Sequence, residues 1–352
     1  MKEARVRIGF VGVGGMGQAA HLRNYATLPE CEVVALSELR PELGRKVAAK
    51  YGVPKVYRTF EDMLAKEKVD ALVASQPFWR HGTLIPEVLK AGVPVFTEKP
   101  LAASVAMGEK IVAAARASRT WHMVGYHKRS DPATMYAKAE IDRLRSTKEL
   151  GRLTYVRLAM PAGDWVAGGF VDNVNTDETT GPLVEDPRDP SMSDAAWKAY
   201  FEFVNYYIHQ VNLMRHLLGE PYTVVHADPA GVLFIGRSAS GIPCALEMSA
   251  YQTTIDWQES AFVAFEKGYV KLDLPAPLAS NRPGRVEILR DPGGGAVPVT
   301  SVPHLPWVHA MRQQAVNFLK AVRGEMKPLC DSTEALEDLK VAREYLRLWK
   351  GV

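Results

Sequence analysis

The chain has 352 residues, 47% hydrophobic and 24% charged, with 43 basic against 40 acidic side chains and a formal charge of +3. That composition is ordinary for a globular protein, and the near-balance of charge argues against nucleic acid or an anionic membrane as partner. Cys31, Cys244 and Cys330 stand at unrelated spacings, which excludes a disulfide framework and a metal knuckle, so no metal site is expected. No apolar run approaches the roughly 18 residues of a membrane span, and the opening "MKEARVRIGFVG" has no cleavable signal, so a cytoplasmic protein is expected. The length suggests two domains.

Residues 5–125 alternate short apolar runs with amphipathic ones. "VRIGFVGVG", "CEVVALSE", "DALVASQP", "VPVFTEKP" and "WHMVGYH" read as buried strands, separated by helical stretches such as "RPELGRKVAAKYG" and "SVAMGEKIVAAARAS". This rhythm means βαβ units, hence a doubly wound parallel sheet of the Rossmann kind over residues 1–125. Within it, Gly12, Gly14 and Gly17 form G-x-G-x-x-G directly after a strand and at the start of a helix. The first glycine permits the tight turn, the second lets backbone approach a pyrophosphate, and the third lets helix pack on strand. Glu38 closes the second strand, where a carboxylate takes the ribose hydroxyls and repels a 2′-phosphate; NAD is therefore the expected cofactor and NADP the less favoured one. Gly15, Met16 and the nearby Arg40 complete this expected cofactor site. "VFTEKPLA" places Glu98 and Lys99 at the carboxyl end of a buried strand, the edge where ligands bind in such sheets.

After residue 126 the pattern changes. A helix, "PATMYAKAEIDRLRS", leads into the strand "GRLTYVRLAM". Residues 162–198 then show no clear periodicity and carry eight acids against one arginine before Trp197, which suggests a lid or a subunit-contact arm. In it, Asp164, Trp165 and Trp197 are candidates to meet a sugar's hydroxyls and its C–H face, and Asp172 is a further candidate carboxylate. "VNYYIHQVNLMRHLLG" reads as one helix, residues 204–219, on which Asn205, His209, Asn212 and His216 share a stripe at about 100° per residue. Strands and turns fill 222–300, giving an antiparallel sheet, and two helices near 307–323 and 332–349 close the chain. The second domain is thus expected over 126–352, an α/β unit whose last helix packs back on the first domain.

The order of these motifs resembles the Gfo/Idh/MocA oxidoreductases. The resemblance rests on "GFVGVGGMG", "VVALSELRPE", "SQPFWRH", "EKPLA" and "VGYHKRSDP" before "ELGRL". It implies a second domain built on a large, open, mostly antiparallel sheet, and a homo-oligomer, dimer or tetramer, paired through sheet faces. It implies that Lys99 is catalytic or substrate-binding and precedes a cis proline, and that Pro77, His81 and Arg129 lie on the cofactor pocket or cleft wall. It also implies that His209 is the catalytic histidine, with Asn205 where the family usually has aspartate. An amide orients an imidazole but brings no compensating charge. The expected catalytic set is Lys99, His209 and Asn205; the expected substrate-binding set is Lys99, Arg129, Asp164, Trp165, Asn205 and His209. The expected activity is NAD-dependent oxidation or reduction of a secondary hydroxyl on a sugar, glycoside or cyclitol. A glycoside-cleaving enzyme working by transient oxidation and elimination, and a non-catalytic NAD-binding regulator, are the alternatives.

Overall fold

The structure, a computed structural model, describes residues 4–248 and 251–351. It divides into two units, each described by itself. The first takes the chain to Tyr126 and adds 168–190 and 311–339; the second holds 127–167, 191–310 and 340 onward. The division is thus discontinuous, where the sequence suggested one cut after residue 125.

Six parallel strands form the sheet of the first unit: β1 (Val6–Val11), β2 (Cys31–Ser37), β3 (Val56–Tyr57), β4 (Ala71–Ala74), β5 (Val95–Glu98) and β6 (His122–Gly125), in the order β3-β2-β1-β4-β5-β6. Strands β4 and β5 are buried along their whole length and β1 at every residue but Arg7, as near-continuous apolar runs covered on both faces must be. Strand order reverses between β1 and β4, which opens the crevice at their carboxyl ends. The first helix, α1 (residues 17–25), starts with a π-wound stretch, Gly17–Leu22, and ends as α-helix at Tyr25. Helix α2 (Pro41–Tyr51) begins on a proline and ends at Gly52, whose φ of 69° suits glycine. Side-chain caps from Thr59 and Ser104 start α3 (Phe60–Lys66) and α5 (Val105–Ala117); α4 (His81–Leu89) lies between them. Phe10, Tyr25, Phe96 and Phe318 meet edge to face in the core.

The second unit starts with α6 (Pro132–Thr147), capped by Asp131, and β7 (Leu153–Ala159). The helical stretch expected at 204–219 begins earlier and breaks once. Helix α7 (Asp194–Tyr206) ends at Tyr207, and α8 (Ile208–Leu218) starts from it. Seven further strands follow: β8 (Tyr222–Ala227), β9 (Leu233–Ser238), β10 (Pro243–Glu247), β11 (Glu259–Phe265), β12 (Gly268–Leu274), β13 (Arg285–Arg290) and β14 (Val299–Ser301). With β7 they make an eight-stranded sheet, β14-β13-β12-β11-β7-β10-β9-β8, antiparallel except where β10 runs beside β7. Alternating burial along β11, β12 and β13 gives one face to the core, and Val156, Leu158, Val263 and Leu272 fill it. Helices α9 (Ala310–Val322) and α10 (Ser332–Lys350) end the chain. Leu336 and Leu339, in the part of α10 that belongs to the first unit, would crowd a Cβ on Gly108 of α5.

Candidate active site

In the first unit the glycine turn is shaped for a ligand's approach. Gly12 has φ of +89°, and a Cβ there would overlap the Gln76 side chain and stand 2.7 Å from the Ser75 carbonyl oxygen. A Cβ on Gly17 would stand 2.9 Å from the Gly12 carbonyl, so helix and turn pack at glycine distance. Gly14 differs. Its missing Cβ would meet only Arg40 Nη2, at 3.6 Å, so this face of the turn is open to a pyrophosphate. Gly15 is exposed and Met16 half-buried as the helix begins.

Glu38 is buried at the end of β2. Its Oε2 accepts from the Val13 N–H at 3.0 Å, and its Oε1 accepts from Arg40 Nε at 2.7 Å. The carboxylate is thereby tied to the glycine turn on one side and to the guanidinium on the other. Glu98, at the end of β5, bonds His21 Nε2 at 2.7 Å through Oε1 and the Lys99 N–H through Oε2. Burial works to raise its carboxyl, but the His21 bond and the His21 and Lys99 charges outweigh it and leave it below the ordinary value. Lys99 follows directly, half-buried, and the Lys99–Pro100 bond is cis. Pro77 is exposed and leads a single 3₁₀ turn, Phe78–Arg80. His81 is wholly buried, with Nδ1 facing the carbonyls of Pro100 and Leu101 and Nε2 facing that of Gln76. Burial lowers its pKa, although its carbonyl partners oppose that. Its ring thus ties the Gln76 and Pro100 loops together.

In the second unit a 3₁₀ turn, His127–Ser130, is buried throughout. Arg129 Nε donates to Asn212 Oδ1 at 2.7 Å, and the rings of His127 and His209 meet edge to face at 4.6 Å. Lys128 is ion-paired with Glu259; Gln210 Nε2 and Trp257 Nε1 donate to the same carboxylate at 2.8 and 3.2 Å. Lys128 Nζ also lies 5.4 Å from the Trp257 ring centre. A cavity of about 630 Å³ opens here, with Asp164, Tyr251, Asp256, Trp257, Glu259 and Arg282 in its wall. A narrow recess sharing Leu274, Ala279 and Arg282 with that wall is lined also by His127 and Lys128.

The expected stripe is divided by the break at Tyr207. His209, Asn212 and His216 remain on α8, with His209 9% exposed, while Asn205 stands on the exposed side of α7. Burial, then the fields of Arg129, Lys138 and Arg215, hold His216 well below the ordinary histidine value. Asp164 lines the cavity and accepts from the N–H groups of Val166 and Ala167, both at 3.0 Å. Trp165 is half-buried beside it but is not in the cavity wall, and Trp197 is packed in α7 against Tyr200 and Phe201. The aromatic wall is Trp257 instead. Asp172 belongs to the first unit, where its carbonyl accepts from Lys50. His127, Lys128, Gln210, Trp257 and Glu259 are thus residues that sequence reasoning missed. "GYHKRSDP" contained two of them, and a charged residue inside an otherwise alternating strand, Glu259, was the available signal for another. Among the described residues no group of three His, Cys, Asp or Glu could hold a metal ion, and no helix is long and apolar enough to cross a membrane. All three cysteines are buried and free.

The sequence pattern of the oxidoreductase family GFO_IDH_MocA, NAD-binding Rossmann fold, matches residues 6–126, the span that builds the glycine turn and the Glu38 and Lys99 edge. Residues 6–126 thus carry this family's NAD-binding Rossmann pattern. Among similar proteins, an inositol 2-dehydrogenase 1 of Saccharopolyspora erythraea is 38% identical over 140 residues, 39% of this chain and 41% of the relative. Such local matches span about two fifths of the relatives' length, 40–41% for three inositol 2-dehydrogenases. A longer match, 24% identical over 359 residues and covering 97% of this chain and 96% of the relative, is to an inositol 2-dehydrogenase of Rhizobium meliloti. Of solved structures, the WlbA dehydrogenase of Bordetella pertussis, in complex with NADH and UDP-GlcNAcA, has the same fold at a TM-score of 0.68 and 21% identity, covering 99% of this chain and 98% of that one.

Proposed function

We propose that the protein is an NAD-dependent dehydrogenase of a secondary hydroxyl on a polyol, with cyclitols and sugars as the substrate class. The observation that carries this reading is the open face of Gly14 beside the anchored Glu38 carboxylate, on the sheet edge that also ends in Lys99. Glu38 is positioned to accept from the ribose hydroxyls, which favours NAD over NADP. Relatives named inositol 2-dehydrogenase, and a cavity whose wall offers three aspartates, two arginines and an indole face, support a polyhydroxylated ring as substrate.

Bound NAD supplies the acceptor for the substrate's hydride. The chain's own residues handle the hydroxyl proton. Lys99 polarises the substrate oxygen with its ammonium, and His209, as neutral imidazole, takes the proton. The His127 ring fixes the edge of His209, and Arg129 holds Asn212 one turn further along α8. Glu98 holds the backbone of Lys99 in place by accepting its N–H.

The test is NADH formation across inositols, sugars and glycosides at pH 7–9, with Lys99→Ala and His209→Ala beside the parent. Turnover with a polyol is expected, and each variant is expected to lose about 10²–10⁴-fold in kcat. Variants that match the parent on its best substrate sink the assignment of both residues. Tight NADH binding without turnover of any polyol favours a sensor instead.

A further inference from the structure

Residues 168–190 interrupt the second unit's sequence but pack with the first, and they cross its carboxyl edge as a strap. Gln18 bonds Val174 in both directions, through its amide N–H to the Val174 carbonyl at 3.1 Å and through Oε1 from the Val174 N–H at 2.8 Å. Asn173 Nδ2 donates to the Gly15 carbonyl at 3.2 Å. Asp186 accepts from the N–H groups of Gly82 and Thr83 at 2.7 and 2.8 Å, capping α4. Glu178 does the same for α2: its carboxylate accepts from the N–H groups of Glu42 at 3.1 Å and Leu43 at 2.8 Å. Burial works to raise the Glu178 carboxyl, but these two N–H bonds leave it below the ordinary value, so it is ionised at neutral pH.

A Rossmann edge accommodates the 2′-phosphate of NADP with an arginine near the end of β2, and helix N-termini supply anion-binding amide donors. Both are here, and a carboxylate of this chain has taken each. Glu38 holds Arg40, and Glu178 holds the donors of α2. Beside Glu178 a cavity of about 480 Å³ is lined by Glu42, Asp177 and Glu178, with Lys46 paired to Glu42 at 2.7 Å. We propose that Glu178 is a cofactor-specificity residue, which occupies the first amides of α2 and excludes the 2′-phosphate, so that NAD is selected by two carboxylates far apart in the sequence. This rests on the reading of the edge as a dinucleotide site.

The experiment is titration of the full-length protein with NADH and with NADPH, read by nicotinamide fluorescence and needing no substrate. Parent, Glu178→Ala, Glu178→Gln and Asp186→Asn are compared. The parent is expected to prefer NADH, and Glu178→Ala to narrow that preference about tenfold, chiefly by tightening NADPH, which is the effect of one adjacent charge near a protein surface. Glu178→Gln keeps an acceptor for one N–H and removes the charge, so it should shift the ratio the same way while holding the strap. Asp186→Asn disturbs the strap at the other helix and should leave the ratio alone. A ratio unchanged in both Glu178 variants, equal weakening of both cofactors, or an equal shift in Asp186→Asn overturns the role of Glu178. A parent that binds neither cofactor overturns the dinucleotide reading, and this proposal with it.

Discussion

Glu259 is 5% exposed, yet it is held by an ammonium, an amide and an indole N–H, from residues 128, 210 and 257. Taking one charge from such a pair leaves the other buried and uncompensated, so Glu259→Gln should cost about 3–5 kcal/mol in urea unfolding. Lys128→Met combined with Glu259→Gln should recover part of that loss, since the pair disappears together. Asp131 offers a pH test at the same scale. Burial pushes its carboxyl up to about 6, against the N–H bonds of Gly284 and Ala133 and the Lys128 charge, with Glu259 adding to the rise. Because the native protein keeps this proton after the unfolded chain has lost it, stability falls as pH rises from about 4 to 6 and stays lowered above that window. Asp131→Asn keeps the helix cap and removes the titration. The difference in unfolding free energy between variant and parent should therefore grow by about 2–3 kcal/mol in the variant's favour between pH 4 and 6.5.

At the scale of elements, the glycine turn and the start of α1 separate structural from functional glycines. Gly12→Ala puts a side chain at φ of +89° and against Ser75 and Gln76, which should cost about 1–3 kcal/mol and lower the melting temperature. Gly14→Val meets only the end of the Arg40 side chain, at ordinary contact distance, so it should melt close to the parent and yet lose NADH binding by fluorescence titration. If Gly14→Val still binds NADH, the pyrophosphate does not lie over this turn. The α7–α8 junction carries the opposite lesson. Tyr207 joins the two segments with φ of −90° and ψ of −3°, its N–H still donates to the Phe203 carbonyl at 2.8 Å, and its hydroxyl donates to the Met248 carbonyl at 2.9 Å. The stripe read from the sequence therefore spans two segments, with Asn205 near the end of α7 and His209 at the start of α8.

For the whole molecule, the strap makes the first unit depend on a segment far along the chain. Asp186 joins α4 by three hydrogen bonds across more than 100 residues of sequence, with its carboxylate 7% exposed. Asp186→Ala should destabilise by about 1–2 kcal/mol as a lost helix cap and hasten limited proteolysis within 168–190, the remaining sites being cut no faster. Equal rates in variant and parent would show that the other tethers hold the strap alone.

The parallel sheet, the glycine turn, Glu38, Lys99 and the antiparallel second sheet were legible in the sequence, because each rests on short-range rules: strand alternation, the φ that only glycine adopts freely, and a carboxyl-end residue following a buried run. The rest came from pairings at a distance. Lys128 meets Glu259 across 131 residues, and Glu178 meets Glu42 across 136, with nothing local in either segment to announce the partner. A buried charge signals only that some counter-group exists, and a polar segment without periodicity gives no docking face. Tertiary structure alone put Trp257 and Tyr251 in the cavity wall, joined the segments of Asn205 and His209 at Tyr207, and set two strap carboxylates on the amide ends of α2 and α4. Local backbone physics decides elements; which side chains share a cavity is decided by how those elements pack.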